Sequence, residues 1–240
     1  ILENGQIGMG TTSPWSLLSV NAPAGTNSLA IGSSTGTYLV VNSSGNIGIG
    51  TTSPLNILSI RTSGSTAAVS PSVLFSASST AAMWTANWIM GADLADAGKF
   101  KISSSTVLGM NDRLTIDGNG NLGVGTTSPL SLLQASGATP KFYLSNTSGA
   151  VDGKHWFLSN ASGDFSIGTT SDSLAANLTY LTIKGSAGYV GIGTTSPNYK
   201  LTVNSTNATD NLLQISTTTN QGIFIINNQG NVGIGTIPSL

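Results

Sequence analysis

Apolar and small residues alternate over short stretches of this chain, and the alternation restarts at fixed places. Ile47 and Ile49 lie two apart, with Gly48 between them and Gly50 after. Successive side chains of a strand point to opposite faces, so the two isoleucines share one face and the two glycines the other. The same run recurs as Ile7-Gly8-Met9-Gly10, Leu122-Gly123-Val124-Gly125, Val190-Gly191-Ile192-Gly193 and Val232-Gly233-Ile234-Gly235. Four copies continue into Thr-Thr-Ser-Pro, ending at Pro14, Pro54, Pro129 and Pro197. Four and six residues beyond each proline stand Leu18 and Val20, Leu58 and Ile60, Leu133 and Ala135, Leu201 and Val203. That is period-two alternation again and predicts a second half-buried strand. Turn signals follow at Ala22-Pro23-Ala24-Gly25, Thr62-Ser63-Gly64 and Ser136-Gly137. The stretch from Thr80 to Ala97, with Ala81-Ala82-Met83-Trp84, is the one that reads as a short helix.

Glycine weakens an isolated strand, so its regular use here needs a cause: close approach of another backbone, or a bend. The motif glycines Gly8, Gly10, Gly48, Gly50, Gly123, Gly125, Gly191, Gly193, Gly233 and Gly235 therefore read as structural joints. The last glycine of each motif spaces the repeats. Gly10 to Gly50 is 40 residues and Gly193 to Gly235 is 42, whereas Gly50 to Gly125 is 75 and Gly125 to Gly193 is 68. This divides the chain into a short unit 1–50, long units 51–125 and 126–193, and a short unit with the start of another, 194–240. Units of one class align. Trp88-Ile89-Met90 matches Trp156-Phe157-Leu158, and Leu114-Thr115-Ile116 matches Leu181-Thr182-Ile183. One short unit cannot close a core, so it must stack on its neighbour or pair with other chains. The glycine face favours pairing of several chains around a crowded axis.

Composition agrees with an extended, self-associating β structure. Charged residues are 7% of the chain, against roughly 25% in a typical domain, while apolar residues reach 39%. That combination argues against disorder and against a freely soluble monomer. Net charge is −1 with no basic patch, which speaks against nucleic-acid binding. No apolar run reaches the ~18 residues of a membrane-spanning helix. Cysteine is absent, so disulfide and thiolate metal sites are excluded. The first and last residues fall inside the pattern, so the chain reads as a piece of a longer fibre.

Candidate chemistry is sparse. His155 is the only histidine, with no cysteine or second histidine to share a metal. Asp93 with Asp96, or Asp112 with Asp117, are the carboxylate pairs that glycoside cleavage would need, but each reads more simply as a turn residue. Asp117-Gly118-Asn119-Gly120-Asn121 faintly resembles a calcium loop and also reads as a turn. Trp88/Trp156 and Phe100/Phe165 are matched positions expected to fill the core of a wider β segment. Unmatched Trp84 and His155 are the expected surface-contact residues. No catalytic, cofactor-binding or metal-ligating set follows, and a non-enzymatic chain is expected.

The G-N-[IVL]-G-[IV]-G-T-T-S-P signature followed by L-x-V resembles the repeats of bacteriophage tail-fibre and appendage proteins, which are also found in bacterial surface fibre proteins. Its five copies run from Gly5 to Pro238. The resemblance implies an all-β, elongated repeat fibre. It would be a homotrimer of intertwined strands, a triple β-helix or β-prism-like shaft with small knobs in the longer repeats. Expected partners are further copies of the chain and a host-surface glycan or receptor. The expected place is extracellular, on a virion tail fibre or a cell-surface filament. A bacterial filament or adhesin stalk is the alternative function, and a polysaccharide-degrading tailspike is disfavoured by the few carboxylates.

Overall fold

The computed structural model describes residues 5–34, 36–62, 70–78, 85–175, 177–205, 207, 209–216 and 222–235. The chain is all-β and divides into two compact units, Ile1–Ala135 and Ser136–Leu240. In the first unit the strands are β1 (Ile7–Met9), β2 (Leu18–Val20), β3 (Leu29–Ser33), β4 (Gly36–Val41), β5 (Ile47–Ile49), β6 (Leu58–Ile60), β7 (Ser72–Ser78), β8 (Thr85–Asp93), β9 (Lys99–Ser103), β10 (Asp112–Ile116), β11 (Leu122–Val124) and β12 (Leu133–Ala135). The second holds β13 (Lys141–Ser145), β14 (His155–Ala161), β15 (Asp164–Thr170), β16 (Asn177–Ile183), β17 (Val190–Ile192), β18 (Leu201–Val203), β19 (Asn211–Ser216), β20 (Gly222–Asn227) and β21 (Val232–Ile234).

Strands pair with their sequence neighbours throughout. The sheets run β1-β2, β3-β4-β5-β6 and β7 to β12 in the first unit, and β13 to β18 and β19-β20-β21 in the second. In β19-β20-β21 both pairings are antiparallel; in the other four sheets hairpins make every pairing antiparallel except the last. There the motif strand pairs parallel with the strand after the proline. Ile47 lies against Leu58, and Ile7 against Leu18, Leu122 against Leu133 and Val190 against Leu201. Both strands expected from the alternation therefore form at their expected residues. The long units share one plan. Their matched segments fall on equivalent strands, with Trp88 facing Phe75 and Trp156 facing Leu144 across the first hairpin. The break between the two compact units falls after the post-proline strand β12.

The helix expected over Thr80–Ala97 is not seen in its described part. Thr85–Asp93 is strand β8, followed by one 3-10 turn at Leu94–Asp96. Pairing with β7 and β9 on both sides outweighs the helical preference of the alanines.

The two faces of each sheet differ in an unusual sense. On one face of β3–β6, Leu29, Val41, Ile47 and Leu58 form a row across the strands, and Ile31, Leu39, Ile49 and Ile60 form a second. None of the eight is buried. Val73, Met90, Ile102, Leu114, Val124 and Ala135 form such a row across β7–β12. Phe142, Leu158, Ile167, Leu181, Ile192 and Val203 do so across β13–β18, again with none buried. The opposite face holds what the chain buries by itself. The residue facing the motif glycine from the preceding strand is Val40, Thr115, Thr182 or Ile225, at most 2% exposed. The aromatics expected in a core stand instead on the open face: Trp88 and Trp156 are 45% and 47% exposed, Phe100 and Phe165 39% and 38%.

Candidate functional site

The recurring joint is the feature that organises every sheet, and each of its residues has a local task. In β4–β5 it begins with a tight turn. The Asn42 N–H donates to the Asn46 carbonyl at 2.9 Å, and the Asn42 side-chain oxygen accepts from the backbone of Ser44 and Asn46 at 2.9 Å each. Asp117 and Asn227 accept in the same way in their copies. Asx side chains suit this role because they imitate a backbone turn. The Asp117 carboxyl is held below the usual carboxylate range, first by the Asn121 backbone N–H.

The motif strand then ends on a glycine in the left-handed region: φ is 69° at Gly50, 72° at Gly10, 74° at Gly125, 70° at Gly193 and 69° at Gly235. Its N–H still closes the antiparallel ladder, with Gly50 donating to Tyr38 at 2.9 Å and Gly193 to Tyr180 at 2.9 Å. The left-handed residue turns the chain out of the sheet, and Thr51-Thr52-Ser53-Pro54 carries it across one face. The Thr51 hydroxyl accepts from Ser53 N–H at 3.3 Å, as Thr11, Thr126 and Thr194 do in their copies. Pro54, Pro129 and Pro197 are buried. The middle residue of the next strand secures the far end. Ser59 accepts from the N–H groups of Leu55 and Asn56 at 3.1 and 3.3 Å. Ser19, Gln134 and Thr202 are its counterparts. Residues 50–57 thus join two parallel strands, a span shorter than the dozen or more residues usual for such a crossover.

This arch explains the central glycine. A Cβ on Gly48 would strike the Thr51 carbonyl and the Val40 side chain. On Gly8, Gly123 and Gly191 it would strike the carbonyl of Thr11, Thr126 or Thr194. The backbone that comes close is the chain's own arch. Gly233 is buried against Ile225. Each pair of motif glycines builds its own joint.

His155 is half-buried on β14. Its Nδ1 shares a 2.8 Å hydrogen bond with Ser145 Oγ, and its Nε2 lies 3.8 Å from Asp172 Oδ1. Asp172 also pairs with Lys154 at 2.6 Å, and that ammonium holds its carboxyl below the usual range. Trp84 lies outside the described residues.

A charged cluster escaped the sequence reading. Lys101 on β9 is buried, and its Nζ lies 2.8 Å from Asp93, 2.7 Å from Asp96 and 3.2 Å from Asp112. Lys99 adds a second pair to Asp96 at 2.9 Å. Burial by itself would lower the Lys101 pKa, but the three carboxylates outweigh it and hold it above the ordinary lysine value. Asp96, beside Lys101 and then Lys99, is held below the usual carboxylate range. Asp93 and Asp112 thus face an ammonium, not an open cleft. Asp93 also accepts from Ala95 N–H at the start of the 3-10 turn, and Asp112 belongs to a strand rather than a turn. The signal was the alternation of Lys99 and Lys101 in one strand. Its acidic partners lie on other elements, which one-dimensional spacing does not show. Among the described residues no group of three or more acidic or histidine side chains is placed to hold a metal, and no helix is long and apolar enough to cross a membrane.

No protein-family model matches the chain, and no curated protein matches it.

Three stability predictions follow from this geometry. Gly123→Ala forces a methyl against the Thr126 carbonyl and should cost about 1–3 kcal/mol. Gly118→Ala, in the adjoining turn with nothing within 4 Å of a Cβ, should stay within about 0.5 kcal/mol. Urea unfolding of the two variants compares them, and equal losses would remove the arch as the cause. Lys101→Met strands buried carboxylates and should cost about 3–5 kcal/mol, read in the same way. The depressed Asp96 carboxyl contributes stability above its unfolded pKa of about 3.9, and this is lost as pH falls through the lower folded value. Thermal melts of the parent chain should drop more steeply below pH 4 than those of Asp96→Asn.

Proposed function

We propose that this chain is a structural segment of an extracellular fibre, the shaft of a tail-fibre-like appendage in which identical chains, three in number, associate along their lengths. One observation carries the reading: each of the four sheets that end in a post-proline strand covers its polar face with its own arch and leaves its aliphatic or aromatic face in water. Exposed apolar patches beyond a few hundred Å² mark association surfaces, and rows of this kind recur on sheet after sheet. The low charge and the hydroxyl- and amide-rich remainder fit a rod that does not rely on charge repulsion to stay in solution. The five-fold motif adds the likeness to phage fibre repeats. The task is mechanical. Stacked joints hold a stiff rod, and the rod supports a part that meets a host-surface glycan or receptor.

Light scattering of the chain should give a mass that is a multiple of 24.2 kDa, and micrographs should show rods. Ile49→Asp combined with Leu114→Asp places charge on two open faces and should shift the mass to a single chain with strand content kept by circular dichroism. A parent chain that scatters as a monomer with a radius of gyration of roughly 18 Å would end the fibre reading.

A further inference from the structure

The joint carries a second apolar surface on the other side of the sheet from the open face. The residues one and three past the proline are Leu55 and Ile57, with Trp15/Leu17 and Leu130/Leu132 in two other copies. Leu55 is 89% and Ile57 80% exposed. Their place follows from the arch. Ile57 accepts from Ile47 N–H at 2.7 Å and directly precedes Leu58 of β6. Alternation therefore sends Ile57 to the side of Ser59 and Gly48, away from Leu58 and Ile60. Leu55 is tied to the same side by its N–H bond to Ser59. In the fourth copy Asn198 and Lys200 take these places, so the ridge is absent there.

A chain cannot lay a ridge from one side of its sheet onto the opposite face of that same sheet. A two-fold pairing of open face on open face would cover the faces and leave the ridges in water. A head-to-tail contact, ridge of one copy on open face of the next, covers both, and closes into a ring where the rotation between copies divides a full turn. Exposed area permits it. The chain exposes 15978 Å², against roughly 10,000 Å² for a folded monomer of its mass. The excess is several times the ~800 Å² that one partner gives to a standard interface, enough for a donor and an acceptor surface on each copy. Ridge and face recur together in the first three joints, so one docking event brings the next within reach of its partner.

We propose that the post-proline ridge of one copy docks on the open sheet face of the next copy, making the contact between chains heterologous and cyclic. This rests on the fibre reading and specifies which surfaces meet. The chain has no cysteine, so cross-linking tests it directly. Ile57→Cys is combined in turn with Ile31→Cys, Leu39→Cys and Val41→Cys, and each single variant is made alongside. After mild oxidation at least one double variant should give a covalent ladder on a denaturing gel up to the oligomer mass, while the single variants stay single chains. Disulfide-linked dimers from any single variant would overturn the head-to-tail contact in favour of like surfaces meeting. An oligomer by light scattering with no ladder in any double variant would also overturn it, yet leave the fibre standing. A monomer by light scattering would remove both.

Discussion

A backbone carbonyl lying over a residue without a side chain is the constraint on which the remaining structure depends. The Thr51 carbonyl comes down on Gly48, and the Thr11, Thr126 and Thr194 carbonyls on Gly8, Gly123 and Gly191. Only with that contact does so short a segment cross a sheet face and bring the next strand in parallel. The left-handed glycine starts the crossing, the threonine hydroxyl bends it, and the proline seats it. The serine, glutamine or threonine of the following strand receives its end. Each later feature inherits the side the arch has chosen.

That choice inverts the usual sheet. Antiparallel sheets normally bury the apolar face and wet the polar one. Here the arch and the loop between β9 and β10 take the polar side, so the chain buries Thr115, Thr182, Ser103 and the Lys101 cluster. Leu108 in that loop is 1% exposed, and Gly109 stands against the Asp93 carboxylate. Burying a lysine is tolerable only because carboxylates from β8, the 3-10 turn and β10 surround it. The aliphatic rows remain exposed or half-buried.

Period-two alternation made the motif strands legible, and the strands four and six residues past the proline with them. It did so because alternation reports faces, and faces are what pairing preserves. The same property hid the partner. A glycine at a face position says that something comes close, and Gly48 reads identically whether the visitor is a neighbouring chain or the chain's own Thr51. Trp88 and Trp156 illustrate the same gap. Their matched places and their shared face were readable, but not that a lone chain leaves that face uncovered. The stretch before Asp93 looked helical because alanine is a good helix former, and flanking strands decided otherwise. The Lys101 cluster was out of reach, since its acids are drawn from separate elements by the fold.

The difference between short and long units now has a structural meaning. A short sheet such as β3–β6 is one hairpin, the motif strand and its parallel partner. A long sheet places a further hairpin, β7–β8 or β13–β14, ahead of that same arrangement. The joint is left as it was, and what grows is the width of the open face. The added strands carry Phe75 and Trp88 in one unit and Phe142 and Trp156 in the other, all on that face. Widening an uncovered apolar surface with large aromatics raises the free energy of leaving it in water, by about 25 cal/mol for each Å². The long units are therefore where covering by another surface contributes most. Chain length between joints sets how wide an apolar face each sheet leaves open.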